Sequence, residues 1–275
     1  MPPAPNSATR LARFLDRLLG VERNMITKQA LSQILGVEDD AELARDFGFI
    51  LALPDQVAEE IERYADPEHD DVNVLLQWEG PVKRALDQCW AFTSPIQGPQ
   101  SHFSKADIVA LQACSPILSR ARIEPRIEQE TLDSLRQSVN EFYEEVIAAT
   151  ALPPELLSFL LDQLDLIRRA LREYAVRGAE ALNEALDQSV GALWRHARAG
   201  DLGTAAPEAG SPLGRFNRIL VQIAAITGVA AGILALPGQA QEAQGVIQEW
   251  VSETSTSETL AGEGDQIEGS STSSN

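Results

Sequence analysis

An unbroken apolar run near the carboxyl end restricts the folds open to this chain more than any other feature. Residues Ile219 to Leu236 read ILVQIAAITGVAAGILAL and contain no charged side chain. A helix over this run approaches the length of about 20 residues that crosses a bilayer. A helix that is apolar on all sides also fits the core of a bundle. We therefore expect a single helix over 213–238 that either spans a membrane or is buried in a core.

The residues flanking this run favour a membrane orientation. Arg215 and Arg218 precede the run, and no Lys or Arg follows it. Positive charge on one side predicts a protein of the inner membrane whose amino-terminal body lies in the cytoplasm. The alternative is a cytoplasmic protein in which the run packs in its own core or against a partner. Gly228 and Gly232 have the G-x-x-x-G spacing that lets two helices approach closely, so we expect them at a helix–helix contact.

Composition and charge limit the fold class and the partners. The 275 residues are rich in Ala, Leu, Glu, Gln and Arg, and no segment shows sustained alternation of β-branched residues. Both features predict an all-α fold. The 41 acidic residues exceed the 22 Lys and Arg residues, which gives a net charge of −19. Lys occurs only at Lys28, Lys83 and Lys105. Because phosphate binding needs clustered basic residues, we expect no nucleic-acid partner.

Two helices with heptad-like apolar spacing are predicted in the middle of the chain. A short connection, Leu152-Pro153-Pro154, separates them, which indicates an antiparallel αα-hairpin of coiled-coil type. The seam of the first helix consists of Leu132, Leu135, Val139, Phe142 and Val146. The seam of the second helix consists of Leu157, Leu160, Leu164, Ile167 and Leu171. The spacing of Leu182, Leu186, Val190 and Leu193 predicts that the second helix continues past Gly178.

Breaks in these patterns divide the chain into segments. Short helices interrupted by Gly and Pro predict an α domain over 1–93, in which Gly48 and Pro54 separate two helices. A linker over 94–104 precedes a helix and the long hairpin over 105–199. A flexible linker over 200–212 then leads to the apolar helix. Residues 239–275 are predicted to form a short helix and a disordered acidic Ser/Thr tail.

No motif of catalysis or cofactor binding occurs in the sequence. Gly-rich phosphate loops, H-E-x-x-H and G-x-S-x-G are all absent. His69 lies in an acidic stretch that reads as a solvated loop, and we expect Cys89 and Cys114 to be small core residues. We therefore predict no catalytic, cofactor-binding or metal-binding residue.

These observations favour a non-enzymatic helical interaction or regulatory protein. In the first hypothesis, residues 219–236 tether the body to membrane lipid, and a bacterial defence or toxin-type effector is a sharper form of it. In the second, the chain is a soluble helical adaptor. Both hypotheses expect a protein partner or self-association. An enzyme whose active site is assembled from scattered Glu, Asp and His residues is the third.

Overall fold

The computed structural model describes residues 6–121, 124–199 and 210–229. Contacts divide the chain into two compact units, Met1–Gly203 and Thr204–Asn275. Within the described residues, the regular structure is helical, and the sole β feature is an isolated bridge between Ile26 and Pro95. The predicted all-α fold is confirmed for this part of the chain. The predicted linker before residue 210 and the predicted tail lie outside it.

The first part of unit one is a bundle around a shared apolar core. Leu11, Leu15 and Leu18 occupy one face of the first helix and are fully buried. This helix packs against the third and seventh helices. The predicted linker 94–104 contains a helical turn, and its Ile96 is fully buried. The helices of this bundle are α1 (Ser7–Gly20), α2 (Thr27–Leu35), α3 (Asp40–Tyr64), α4 (Val72–Leu75), α5 (Glu79–Gln88), α6 (Gln97–Gln100) and α7 (Lys105–Ala121).

Helix α3 continues through the break that the sequence predicted at Gly48 and Pro54. A proline inside a helix costs about 3 kcal/mol because it removes a hydrogen bond and crowds the preceding turn. The apolar stripe along the helix offsets this cost, since each large apolar side chain contributes about 1.5–3 kcal/mol when buried. The prediction of two helices was therefore wrong. The buried stripe consists of Phe47, Ile50, Pro54, Val57 and Ile61.

Three long antiparallel helices complete unit one. They are α8 (Gln129–Ala148), α9 (Pro154–Arg177) and α10 (Ala179–Ala199). Helix α9 packs against both α8 and α10, and it also contacts α1 and α3. All five seam residues predicted on α8 are buried, as are Leu160, Leu164, Ile167 and Leu171 on α9. Leu157, in the first turn of α9, is only partly buried.

The chain reverses direction at Gly178 instead of extending the second arm of the hairpin. Gly178 has φ +66° and ψ −151°, a conformation that side-chain-bearing residues rarely adopt. A Cβ at this position would lie 2.6 Å from Nη1 of Arg10, which pairs with Glu124. Leu182 and Leu186 therefore lie on a separate helix, α10, that folds back along α9. Apolar spacing alone did not reveal this reversal, because it continues on both sides of the turn.

In unit two, the apolar run does not form one continuous helix. Helix α11 (Pro212–Thr227) ends inside it. Gly228 has φ +73°, and the backbone N–H groups of Gly228 and Val229 donate to the carbonyls of Ala225 and Ala224. These two bonds form a Schellman motif, which ends helices at a left-handed glycine.

The prediction of a single helix over 213–238 was therefore wrong, because the helix ends at Thr227. Helix α11 is about 24 Å long at 1.5 Å per residue, whereas a bilayer core is about 30 Å thick. Across the described residues, no helix combines the length and apolar character needed to span a membrane. Gly228 follows the last helical residue and Gly232 lies outside the described residues, so their contact stays a prediction.

Candidate functional site

The three histidines lie far apart along the chain and have different surroundings. His69 is exposed, and its Nδ1 lies 2.9 Å from the carboxylate of Asp66. His102 is also exposed, whereas the ring of His196 packs 5.0 Å from that of Phe159. Within the described residues, no group of three or more His, Cys, Asp or Glu side chains is arranged to hold a metal ion.

Both cysteines are buried in the α1–α7 bundle. Cys89 and Cys114 are fully buried, and the Sγ of Cys114 donates to the carbonyl of Leu75. Burial raises the pKa of Cys89 to about 12 and also raises the pKa of Cys114. Because the thiolate is the reactive form, neither side chain is poised as a nucleophile in this state.

A wide open cleft of unit one is lined mainly by arginine. It has a volume of about 580 Å³ and opens where α3, α8 and α9 meet. Helix α9 supplies three of the four guanidinium groups, and α8 supplies the fourth. We call this site the arginine cleft, lined by Glu42, Arg136, Asn140, Asp165, Arg168, Arg169 and Arg172.

Helical geometry brings these side chains together. Residues three and four apart lie on the same face of a helix, so Asp165, Arg168 and Arg172 project from neighbouring turns of α9. Arg136 comes from the antiparallel α8, and its Nη2 donates to the carbonyl of Leu171 at 3.4 Å. The burial of the α8–α9 seam thus places arginines from both helices at the same cleft.

Arg172 is held by two carboxylates of α3. Its Nη2 lies 3.0 Å from Glu42, and its Nε donates to Asp46 Oδ2 at 3.4 Å. Asp46 is almost fully buried, and its Oδ1 accepts no hydrogen bond from any described residue. Burial raises the pKa of Asp46, although Arg172 opposes this shift. Glu42 and Asp46 together fix the guanidinium of Arg172 and link α9 to α3.

The other three arginines of the cleft differ in whether a carboxylate or an aromatic ring contacts their positive charge. Arg168 stacks on the ring of Tyr143 at 4.3 Å and pairs with Asp165 at 3.4 Å. Arg136 pairs with Asp133 one turn before it. Arg169 is half-buried, and the described part of the chain provides it with no hydrogen-bond or ion-pair partner. Its guanidinium is therefore the cation of the cleft with most capacity for an external anion.

A second cleft adjoins the first through Arg169, which lines both. It has a volume of about 180 Å³ and lies between α3, α9 and α10. Its walls combine apolar side chains with a charged rim, in which Arg177 covers the ring of Phe49 at 4.5 Å. Its lining residues are Arg45, Phe49, Leu166, Arg169, Ala170, Glu173, Arg177, Ala181, Glu184, Ala185 and Gln188.

Sequence reasoning missed both clefts. The segment from Arg168 to Arg177 contains four arginines in an acidic chain, and this local clustering was the available signal. Along the chain, however, these arginines alternate with seam residues, so no continuous basic stripe is visible. Arg136 lies far away in sequence, and only the antiparallel packing of α8 on α9 brings it into the cleft.

Comparison with known proteins gives no functional information beyond this geometry. No protein-family model matches the chain, and no curated protein or solved structure is detectably similar to it.

Proposed function

We propose that this chain is a non-enzymatic helical adaptor that binds an acidic segment of a partner protein in the arginine cleft. The observation that carries this proposal is the convergence of four arginines from two helices on one open cleft, in a chain of net charge −19. Guanidinium groups bind carboxylates through paired, charge-assisted hydrogen bonds. A polypeptide that presents several carboxylates matches this arrangement.

The mixed lining of the cleft favours a polypeptide over a uniform polyanion. Glu42 and Asp165 place negative charge beside the arginines, and Asn140 adds an amide. A nucleic acid carries a phosphate at every nucleotide, so the phosphates beside Glu42 and Asp165 would be repelled. A peptide also carries backbone N–H groups, which are donors for Glu42 and Asp165.

The electrostatic attraction of the cleft is local. Charges separated by more than about 8 Å are largely screened at physiological ionic strength. An acidic segment therefore experiences the arginines only near the cleft, while the net negative charge of the chain acts weakly at longer distance. Arg172 is already neutralised by Glu42 and Asp46, so Arg169 contributes most of the attraction available to a ligand.

Of the two functions that the sequence favoured, we build on the adaptor. Helix α11 ends at Thr227, within the segment that a membrane tether would require as one helix. The tether over 219–236, the inner-membrane or cytoplasmic location, self-association and the toxin-type effector stay predictions. Fractionation of cells that express the intact chain and a variant lacking residues 213–238 tests the tether directly.

Binding of an acidic peptide tests the proposed function. The probe is fluorescein-labelled hexaglutamate, and the measurement is fluorescence anisotropy at low ionic strength. We expect the unmodified chain to bind the probe and Arg169→Gln to bind it about fivefold more weakly. This factor corresponds to about 1 kcal/mol for one partly exposed charge pair.

Arg23→Gln is the matched control for this experiment. Arg23 is exposed between α1 and α2 and lines neither cleft, so its substitution makes the same change in net charge elsewhere. We expect this variant to bind hexaglutamate as the unmodified chain does. If both substitutions weaken binding equally, the effect arises from net charge and not from the cleft. If the unmodified chain does not bind hexaglutamate, the proposal is refuted.

A further inference from the structure

We infer that the acidic partner segment also inserts one apolar side chain into the second cleft. This inference rests on the proposed function, because it concerns the ligand of the arginine cleft. It adds a statement about specificity: acidity alone does not define the partner, which also needs an apolar residue flanked by acidic ones.

Continuity between the two clefts is the first support. Arg169 lines both of them, so a segment whose carboxylate pairs with Arg169 lies at the entrance of the second cleft. Arg45 and Arg177 also line the second cleft. Arg177 is paired with Glu173 and Glu184, whereas Arg45 is exposed and forms no ion pair within the described residues. Acidic residues on either side of an apolar one would thus meet Arg169 and Arg45.

The shape and lining of the second cleft are the second support. Ala170, Ala181 and Ala185 are buried, and their small side chains leave space between α9 and α10. Leu166 and Phe49 are partly buried and supply larger apolar surface. The second cleft is open to solvent and has a volume of about 180 Å³, so a side chain the size of Leu enters it without being fully enclosed.

Two peptides measure the contribution of the apolar side chain. Each carries four glutamates on both sides of a central residue, which is Leu in one peptide and Ala in the other. Transfer of the larger side chain from water into the cleft favours the Leu peptide. We expect the unmodified chain to bind the Leu peptide roughly tenfold more tightly than the Ala peptide.

A variant that fills the second cleft tests where this preference arises. Gln188 lies at the rim on an exposed face of α10, where its Nε2 donates to Glu184. The substitution Gln188→Phe places a ring at the cleft. We expect it to abolish the preference for Leu over Ala, and a circular dichroism spectrum equal to that of the unmodified chain reports that the variant is folded.

Gln137→Phe is the matched control. Gln137 is exposed on α8, and its Nε2 donates to Glu141 four residues away, as Gln188 does to Glu184. We expect this variant to keep the preference for Leu.

The outcomes separate the two proposals. If the Leu and Ala peptides bind equally, and Arg169→Gln weakens both, the apolar side chain has no role and the proposed function stands. If the Leu preference survives Gln188→Phe, the second cleft is not its origin and the inference is refuted. If neither peptide binds the unmodified chain, both the proposed function and the inference fail.

Discussion

Gly178 is the residue at which the backbone conformation decides the path of the chain. Its positive φ lets α10 fold back on α9, and its lack of a side chain leaves room for the guanidinium of Arg10. Arg10 is buried and pairs with Glu124. Glycine at position 178 therefore allows the chain to reverse and leaves space for the buried Arg10 side chain of α1.

Substitution of Gly178 tests this role. We expect Gly178→Ala to lower the free energy of unfolding by about 1–3 kcal/mol, because the added Cβ is strained at this φ and crowds Arg10. Urea denaturation followed by circular dichroism measures the change.

Gly48→Ala is the control for this prediction, since Gly48 lies inside α3 and a Cβ there would meet no described atom within 4 Å beyond the adjoining backbone of its own helix. We expect it to raise the free energy of unfolding by about 0.5–1 kcal/mol. A neutral Gly178→Ala would show that the turn does not need glycine.

At the scale of elements, α9 is the helix that both stabilises unit one and forms the candidate site. Its buried face packs on α8 and α10, while Arg168, Arg169 and Arg172 line the arginine cleft. An amphipathic helix divides its residues in this way because its apolar face is buried and its charged face stays accessible. The positions of the arginines therefore depend on the packing of the apolar seam.

The seam is tested by shortening one of its side chains. Leu160 is fully buried, so we expect Leu160→Ala to destabilise the chain by about 2–5 kcal/mol through lost burial and a cavity. Leu157, in the same helix, is partly buried, and we expect a smaller loss for Leu157→Ala. Thermal unfolding of the two variants provides the comparison, and similar losses would contradict this assignment of the buried face.

At the scale of the whole molecule, the described helices of unit one pack against one another across the boundary that the sequence predicted between two domains. Helix α1 contacts α3 and α7 in the bundle and also contacts α9. Val176 of α9 belongs to the same core cluster as the bundle residues. Because these contacts cross the predicted boundary between the short-helix domain and the hairpin, we expect residues 6–199 to unfold cooperatively.

The two buried thiols report on this cooperativity. Burial raises the pKa of Cys89 to about 12, and Cys114 is buried as well, so both react only when the core opens. We expect a thiol reagent to modify both cysteines with the same urea dependence as the loss of helix. Rapid modification of either cysteine in the native protein would show a local opening of the bundle.

The sequence by itself determined the all-α class and the apolar faces of α8 and α9. Local propensity and periodicity carry this information, because they depend on residues only a few positions apart. The same rules misplaced the ends of helices. They broke α3 at Pro54, where burial outweighs the cost of proline, and they continued α9 through Gly178 and α11 through Gly228, where glycines with positive φ end each helix.

Only the tertiary structure decided which charged side chains meet. Arg136 and Arg169 belong to different helices, and Glu42 belongs to a third. No spacing along the chain relates them, since their proximity results from the antiparallel packing of α8 on α9 and the contact of α3 with α9. Patterns of nearby residues therefore could not predict the candidate site. Such patterns determine how each helix forms, but they do not determine which faces of distant helices pack together.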